Sequence, residues 1–386
     1  MKVVKILIVA PGLAPHVGGV GVYERETLPH LVQDLTGAGA GVTLLLSRDA
    51  PFALTAPGLR ILRLPVRRDR SALRVLFEQL YACLRSWGAD VLVSLESRLP
   101  LLPVWSRRNV VVLHDIYPLQ VAAGIYTEEG SRVGLLYTCS VTRRAVSLAD
   151  KIVTDSNSVA REVQEFLGVP SSRLITVPCG VNQSKFKRVG DPSRVRRVRD
   201  RWGLPARFCL FVSSLSRNKN IALVARAYAL AGWEARFLHP VVLTSSFGSI
   251  GLESPVRALL EQGRQRGMFL PVGRVPDDDL PAMYAAASVL IYPSHHEGFG
   301  LPPLEAMACG TPVIASNRAS LPEVVGDAGL LVDPTDPAAL LRALEQVNDE
   351  RVAQELTQRG LERARRFSWE RTAEQLADQI LSWPSA

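Results

Sequence analysis

Residues 289–310, VLIYPSHHEGFGLPPLEAMACG, are the stretch that decides the fold. Their apolar beginning predicts a buried strand, and their end, rich in Leu, Ala and Met, predicts a helix. Proline is favoured in the first turn of a helix, so this helix is predicted to begin near Pro302 or Pro303. Gly298 and Gly300 lie between the two elements and allow the backbone to approach a ligand closely. Open α/β sheets bind phosphorylated ligands at such a junction of strand, loop and helix N-terminus.

Two carboxylates bracket this loop. Glu297 precedes the glycines, where it can meet an occupant of the loop, and Glu305 lies about one turn into the predicted helix. Carboxylates accept hydrogen bonds from hydroxyl groups, which suits a sugar at one position and a ribose at the other. Charged residues are also commonly solvated, so the spacing leaves open a surface charge at 297 and a helix-start charge at 305.

The sequence of this region resembles that of a known family. Residues 297–316, EGFGLPPLEAMACGTPVIAS, resemble the two-glutamate signature of retaining glycosyltransferase family 4, and residues 320–329, SLPEVVGDAG, are similar to its next segment. The resemblance implies a GT-B fold, in which two Rossmann-like, doubly wound parallel-sheet α/β domains face each other across a cleft. It also implies sugar transfer with retained anomeric configuration and without a metal ion. The sequence from Phe299 to Gly310 is most similar to that of mannosyl- and rhamnosyltransferase-like members.

The length of 386 residues favours two domains over one core. Strand and helix patterns alternate along the chain, which predicts parallel sheets with crossover helices. The predicted segments are an N-terminal acceptor-binding domain over 1–185, a linker over 186–205, a nucleotide-sugar-binding domain over 206–368, and a C-terminal helix over 369–386 that crosses back onto the first domain.

Composition excludes several classes of protein. The five cysteines form no C-x-x-C pair, which argues against a zinc site or a disulfide framework and favours a reducing compartment. No run of about eighteen apolar residues predicts a membrane span. The net charge of +8 fits an anionic partner such as a nucleotide sugar, and no nucleic-acid-binding motif is present. The dinucleotide pattern G-x-G-x-x-G is also absent, which disfavours a nicotinamide enzyme.

A second loop between strand and helix, SSLSRNKN at residues 213–220, predicts an anion site. Its cations, Arg217 and Lys219, would neutralise a departing diphosphate. The resembled family has R-K-N here, so Lys219 and Asn220 match while Asn218 stands where arginine is common. The resemblance therefore gives the phosphate role to Lys219 and, one position displaced, to Arg217. The alternative is that these are surface charges at a helix start.

Two features of the first domain carry weaker signals. Gly18 and Gly19 follow the predicted strand 5–10, and in the resembled family this loop lies over the donor diphosphate. A plain turn is the alternative. His114 ends another predicted strand, and the family places this histidine beside the transferred sugar, with Asp115 as its orienting neighbour. A buried structural histidine is the alternative.

The resemblance also assigns the remaining site residues. Glu297 holds the ring hydroxyls of the donor sugar and faces its reacting carbon, while Glu305 accepts from the ribose. Backbone N–H groups of the loop contact sugar or phosphate, and a segment further upstream meets the base through its backbone. The residues that carry these backbone contacts are Phe299, Gly300, Leu301 and Val275. No metal ligand and no cofactor are expected.

The segment 60–85 carries seven arginines and two acids, and its later half has the pattern of an amphipathic helix. Such a basic patch could rest on an anionic membrane. The competing interpretation is a helix that packs its apolar face on the core and exposes a solvated basic rim.

The predicted activity is transfer of a hexose to a hydroxyl of a glycan or lipid-linked acceptor. Mannose is the favoured sugar, and GDP-mannose is the expected donor. This activity suits polysaccharide biosynthesis for the cell envelope, with a cytoplasmic enzyme that is peripheral at the inner face of the membrane. A phosphorylase, which needs a site for inorganic phosphate, and a sugar-nucleotide epimerase, which needs no acceptor, are alternatives on the same fold. A non-catalytic sugar-nucleotide binder is a third alternative, against which the joint presence of Glu297, Glu305, His114 and Lys219 argues.

Overall fold

A computed structural model of the chain describes residues 3–10, 13, 18–67, 71–126, 131–245 and 254–382. The chain divides into two compact units. The described residues through Gly180, together with those from Ser368 onward, form the first unit, and Val181–Phe367 form the second.

The first unit contains a parallel sheet of seven strands in the order β3-β2-β1-β4-β5-β6-β7. The strands are β1 (Lys5–Val9), β2 (Gly41–Leu46), β3 (Leu59–Arg63), β4 (Val91–Ser94), β5 (Arg108–Leu113), β6 (Lys151–Thr154) and β7 (Leu174–Thr176). The helices between them are α1 (Gly19–Gly37), α2 (Ser71–Ser86), α3 (Tyr117–Ala122), α4 (Arg132–Leu148) and α5 (Asn157–Leu167). The central strands are apolar and buried on both faces, as strands covered by crossover helices must be.

The second unit contains a parallel sheet of six strands in the order β10-β9-β8-β11-β12-β13. The strands are β8 (Cys209–Phe211), β9 (Val241–Leu243), β10 (Phe269–Pro271), β11 (Val289–Tyr292), β12 (Val313–Ser316) and β13 (Leu330–Val332). The helices are α6 (Pro192–Trp202), α7 (Ile221–Ala231), α8 (Ser254–Gln265), α9 (Leu280–Ala286), α10 (Leu301–Cys309), α11 (Leu321–Val325), α12 (Pro337–Val347) and α13 (Glu350–Ala364). The predicted α/β class with two doubly wound parallel sheets is therefore confirmed.

The last helix, α14 (Trp369–Leu381), belongs to the first unit. Thr372 Oγ1 donates a hydrogen bond to the carbonyl oxygen of Pro178 at 2.7 Å, and Lys151 Nζ donates to the carbonyl oxygen of Gln379 at 2.9 Å. At Gly180 the backbones approach so closely that a Cβ would lie 2.2 Å from the amide nitrogen of Trp369. Only glycine fits at such a close approach of two backbone segments.

The segment predicted as a linker differs from that prediction, because it contains α6. Asp191 caps this helix by accepting from the amide of Ser193, and Pro192 occupies its first turn. Trp202 Nε1 donates to Asp279 Oδ2 at 3.0 Å, which joins α6 to the start of α9 within the second unit. Val198 is the one apolar side chain that the helix buries, so its sequence lacks the apolar periodicity of a packed helix.

Candidate functional site

The topology of the second unit brings two loops to one place. The strand order reverses direction between β8 and β11, which are parallel neighbours. Chains that leave the carboxyl ends of two such strands open a crevice, which is where doubly wound sheets bind ligands. The loop after β8 leads to α7 through a short turn at Arg217–Lys219, and the loop after β11 carries the two glycines to α10.

Lys219 and Glu297 meet at this switch point. Lys219 Nζ lies 2.6 Å from Glu297 Oε1 and donates to the Tyr292 hydroxyl at 3.4 Å. The side chains of the lysine and the glutamate are 22% and 12% exposed. Burial acts to lower the pKa of Lys219, but the oxygens of Tyr292 and Glu297 outweigh it, and the pKa lies above its usual value. The lysine is therefore held as a cation against the carboxylate.

Asn218 joins the two loops directly. Its side-chain amide donates to the carbonyl oxygen of His296 at 2.8 Å and accepts from the amide of the same residue at 3.0 Å. Its own carbonyl oxygen accepts from the amide of His295 at 2.8 Å. An arginine side chain has no acceptor and could not make this two-way contact. The sequence marks Asn218 only as a departure from a pattern, so this role was missed.

Asn220 joins the same region to the loop that follows the edge strand β13. Its side chain donates to the carbonyl oxygens of Pro293 and Pro334 at 3.1 and 2.8 Å, and accepts from the amide of Leu223 at the start of α7. The residue adopts a left-handed backbone with φ of +58°, which asparagine tolerates better than most residues. It therefore fixes the end of the Lys219 turn.

Hydrogen bonds from Ser320 hold the loop that contains Gly298 and Gly300. This buried serine donates to the carbonyl oxygens of Glu297 and Phe299 at 2.9 and 2.7 Å. Gly300, the N-cap of α10, has a φ of +112°, and a Cβ there would lie 2.7 Å from Leu321 Cδ2. The Phe299 ring packs against Phe367 with centroids 5.8 Å apart. Its side chain belongs to the core, so Phe299 can offer a ligand only its backbone.

Glu305 lies in the second turn of α10 and is half-buried. Its Oε2 accepts from the hydroxyl of Tyr284 at 2.9 Å. Burial raises the pKa of Tyr284 well above its usual value, with Glu305 as the next cause, so the phenol stays protonated and donates to the carboxylate. The carboxylate thus has a fixed orientation on the helix that begins at the glycine loop.

His114 lies in the first unit, where both of its ring nitrogens are bonded. Nδ1 is 2.7 Å from Asp155 Oδ2, and Nε2 is 2.8 Å from the carbonyl oxygen of Leu95. Burial lowers the pKa of His114, but Asp155 outweighs it and the pKa lies above its usual value. Because a carboxylate and a carbonyl oxygen both accept hydrogen bonds, this geometry favours the imidazolium form, in which both ring nitrogens donate. In this arrangement its nitrogens already have partners.

The orienting carboxylate of His114 was predicted wrongly. The residue bonded to the ring is Asp155, which follows β6, whereas Asp115 accepts from the amide of Tyr117 at 3.1 Å, near the start of α3. The two residues of the observed pair are 41 positions apart and meet because β5 and β6 are adjacent in the sheet. No local pattern in the sequence carries this information.

Comparisons with known proteins agree with this architecture. Two family descriptions match the chain, "Glycosyltransferase Family 4" over residues 17–185 and "Glycosyl transferases group 1" over residues 197–367. The O-antigen chain mannosyltransferase B of Escherichia coli is 36% identical over 274 residues, which cover 70% of this chain and 69% of that protein. The chain belongs to glycosyltransferase family 4.

Other relatives of this glycosyltransferase extend the comparison. The serotype-specific mannosyltransferase WbdA of Escherichia coli is 32% identical over 267 residues, which cover 69% of this chain but only 32% of that longer protein. Sucrose-phosphate synthase from Thermosynechococcus elongatus has the same GT-B fold, with a TM-score of 0.71, 22% identity and coverage of 97% and 98% of the two chains. At that identity the likeness concerns the fold alone.

The remaining residues of this glycosyltransferase that were predicted to bind the donor lie in three separate segments. Arg217 is exposed and begins the short turn that Lys219 ends. Val275 is 8% exposed and follows the edge strand β10. Gly18 is the N-cap of α1 and Gly19 its first residue, whereas residues 11–12 and 14–17 of the predicted phosphate loop lie outside the described residues.

Proposed function

We propose that this glycosyltransferase moves a hexose, with mannose as the favoured sugar, from a nucleotide-diphosphate donor to a hydroxyl of a glycan or lipid-linked acceptor. The transfer retains anomeric configuration and uses no metal ion. The observation that carries the proposal is the ion pair between Lys219 and Glu297 at the switch point of the second sheet. The names of the two mannosyltransferase relatives support the choice of sugar.

The two charges of this pair suit opposite ends of the bond that breaks. As the sugar leaves the diphosphate, the sugar ring gains positive charge and the diphosphate gains negative charge. In the proposed reaction Glu297 lies against the ring and Lys219 turns to the departing phosphate. Preformed charges in a half-buried site stabilise such a transition state without reorganising solvent. The lysine supplies the positive charge that a metal ion supplies in other enzymes.

The elements around the pair suit the rest of the donor. The amides of Phe299, Gly300 and Leu301 lie where the loop enters α10, and helix N-termini favour anions. Glu305, oriented by Tyr284, would accept hydrogen bonds from the ribose hydroxyls. Arg217 would add a second cation near the phosphates, Val275 would lie in the segment facing the base, and Gly18 and Gly19 would approach the diphosphate through their backbone.

His114 has a proposed part that fits its bonded ring. Its ring is fixed by Asp155 and Leu95 at the carboxyl edge of the first sheet, where the Asp155 carboxylate balances the charge of the protonated ring. It remains a catalytic candidate because it directly follows the carboxyl end of β5, where a ligand of a parallel sheet is expected.

The experiment that tests the proposal is a thermal-shift comparison of GDP-, UDP-, ADP- and dTDP-sugars, followed by transfer assays with the stabilising donor. A ligand at one hundred times its Kd stabilises the folded state by about 2.7 kcal/mol, which gives a measurable shift in Tm. We expect GDP-mannose to give the largest shift, and Glu297→Gln to abolish transfer while the shift persists. Full transfer activity of Glu297→Gln would contradict the catalytic assignment.

The proposed location is the cytoplasm, with peripheral contact at the inner face of the membrane and a lipid-linked glycan as acceptor. The word O-antigen in the name of a relative supports an acceptor of this kind. Among the described residues, no helix has both the length and the apolar content needed to cross a bilayer.

A further inference from the structure

Helix α2 exposes a row of leucines. Its leucines recur every three or four positions and so form one stripe, and they are exposed by 44% at Leu73, 59% at Leu76, 42% at Leu80 and 62% at Leu84. The buried side of the same helix carries Glu78, Gln79, Ala82 and Ser86. Phe77 and Tyr81 also pack against the core of the first unit. The helix is therefore apolar on two sides, and the competing interpretation of this segment accounts for only one of them.

The polar residues on the buried side of α2 hold an apolar loop beside the stripe. Gln79 Oε1 accepts from the amide of Leu101 at 2.5 Å, and Ser86 Oγ accepts from the amide of Trp105 at 2.9 Å. These bonds place exposed Leu101 and Leu102, which are 46% and 40% exposed, next to the helix. The loop is therefore a fixed extension of the same surface.

Two tryptophans complete this surface. Trp87, just after α2, is 73% exposed, and Trp105 is 55% exposed. Their rings lie against each other with centroids 5.5 Å apart. We call the four leucines of α2, Leu101, Leu102 and these two tryptophans the apolar platform. A soluble monomer seldom exposes a contiguous apolar area of this kind without a partner.

The exposed charged residues in the segment that carries the apolar platform have one sign. Within residues 73–108 every exposed residue is apolar, a glycine or an arginine, and the arginines are Arg85, Arg107 and Arg108. The acids of this segment are not exposed, since Glu78 is buried against Arg98 at 3.2 Å, Glu96 also lies against Arg98, and Asp90 is half-buried near Arg107. Arg108 is paired in the same way with the half-buried Asp150 at 3.2 Å. The platform is therefore apolar with a cationic edge, which complements a surface that is apolar within and anionic outside.

We propose that the apolar platform is the docking surface of this protein for an anionic lipid bilayer. The leucine stripe and the tryptophans enter the boundary between headgroups and acyl chains, where aromatic rings are favoured, and the arginines contact lipid phosphates. A second copy of the chain is the competing occupant, and the oligomeric state in solution distinguishes it from a bilayer. The proposal deepens the peripheral location given above but uses no residue of the donor site.

The test is co-sedimentation with vesicles of equal parts phosphatidylglycerol and phosphatidylcholine. We expect the wild-type protein to bind, Leu76→Gln with Leu80→Gln to weaken binding at least tenfold, and Arg85→Gln to weaken it less. Leu230→Gln is the matched control, because Leu230 is 64% exposed on α7 in the second unit. Substitution of exposed leucines leaves the core intact, so the variants should keep their thermal shift with nucleotide sugars.

Three results would overturn the proposal. The first is a wild-type protein that does not sediment with these vesicles, and the second is a double-leucine variant that binds them as well as wild type. The third is a wild-type dimer in solution that the double-leucine variant dissociates, which would make a second copy the occupant. Loss of the nucleotide-sugar shift in wild type would contradict the proposed transfer reaction and leave the docking surface unaffected. Arg67 can be tested in the same way, whereas Arg68 and Arg70 of the predicted basic patch lie outside the described residues.

Discussion

Lys219 is the residue on which the charge balance of the donor site depends. It neutralises the half-buried carboxylate of Glu297 in the absence of donor, and in the proposed reaction it turns to the diphosphate. Lys219→Ala should therefore weaken donor binding by about tenfold to a hundredfold, the range expected for a charged hydrogen bond of about 1.5–3 kcal/mol. Isothermal titration with the donor nucleotide measures this change.

Arg217→Ala is the matched control for this prediction, because Arg217 is an exposed cation of the same turn. We expect it to change donor affinity by less than a third of the effect of Lys219→Ala on a free-energy scale, since exposed charges are screened by solvent. Equal effects of the two substitutions would mean that the loop acts through its net charge alone. An unchanged Kd in Lys219→Ala would refute the phosphate assignment.

His114 makes the stability of the first unit depend on pH. Its pKa in the folded state lies above that of a free histidine because Asp155 outweighs the effect of burial. The folded protein therefore keeps this proton at a pH where the unfolded chain has lost it. The stabilisation is complete below about pH 6.5, the pKa of an unperturbed histidine, and is lost as pH rises through the folded-state pKa.

The measurement is the free energy of unfolding of wild type and His114→Gln in urea between pH 5.5 and pH 9. We expect the advantage of wild type to be largest at the acidic end and to shrink as pH rises. A constant difference across this range would show that folding leaves the pKa of His114 unchanged.

At the scale of elements, the attachment of α14 rests on the close backbone contact at Gly180. A Cβ there would lie 2.2 and 2.3 Å from backbone atoms of Trp369 and Ser368, neither of which can move like a side-chain end. Gly180→Ala should destabilise the first unit by about 1–3 kcal/mol or more, the usual cost of overpacking. Gly190→Ala is the control, because a Cβ at Gly190 would meet no atom within 4 Å. Thermal unfolding of both variants decides, and equal Tm values would contradict the argument.

The elements that local pattern predicts are those whose ends carry their own signal. The sequence pattern predicts a helix over 132–148, which are the bounds of α4. It also predicts a helix cap within Ser156-Asn157-Ser158, and in the structure Ser156 caps α5 by accepting from the amide of Val159. The pattern also predicts one long helix from Ala338, but the structure has two, α12 and α13, and Asp349 caps the second by accepting from the amide of Arg351. That break depends on a single capping residue within an otherwise continuous helical pattern.

The candidate site was predictable in its members but not in its contacts. The motifs around Lys219 and Glu297 each follow a predicted strand, so both residues could be chosen from the sequence. Their direct contact depends on β8 and β11 being neighbours, which the order of strands along the chain does not reveal. The same reason hid the two-way bond of Asn218 to His296, which are 78 positions apart.

At the scale of the molecule, each unit has its own buried core and its own parallel sheet. The second unit is one continuous segment over its described residues, but the first depends on α14, which returns from the far end of the chain. Helix α14 buries Trp369, Leu376 and Ile380 to 3%, 0% and 1% exposure. Large apolar side chains of this kind contribute about 1.5–3 kcal/mol each, so losing all three removes much of the stability of a typical domain.

A chain that ends after Phe367 should therefore lose the first unit and keep the second. In differential scanning calorimetry we expect one transition to move to lower temperature or disappear while the other keeps its Tm. The transition that remains should still shift upward with the donor nucleotide, because Lys219, Glu297 and Glu305 all lie in the second unit. A chain that ends after Ser382 is the control, because it keeps α14 and should show both transitions. If the shorter chain lost both transitions together, the two units would fold as one cooperative body and their separate cores would not be independent.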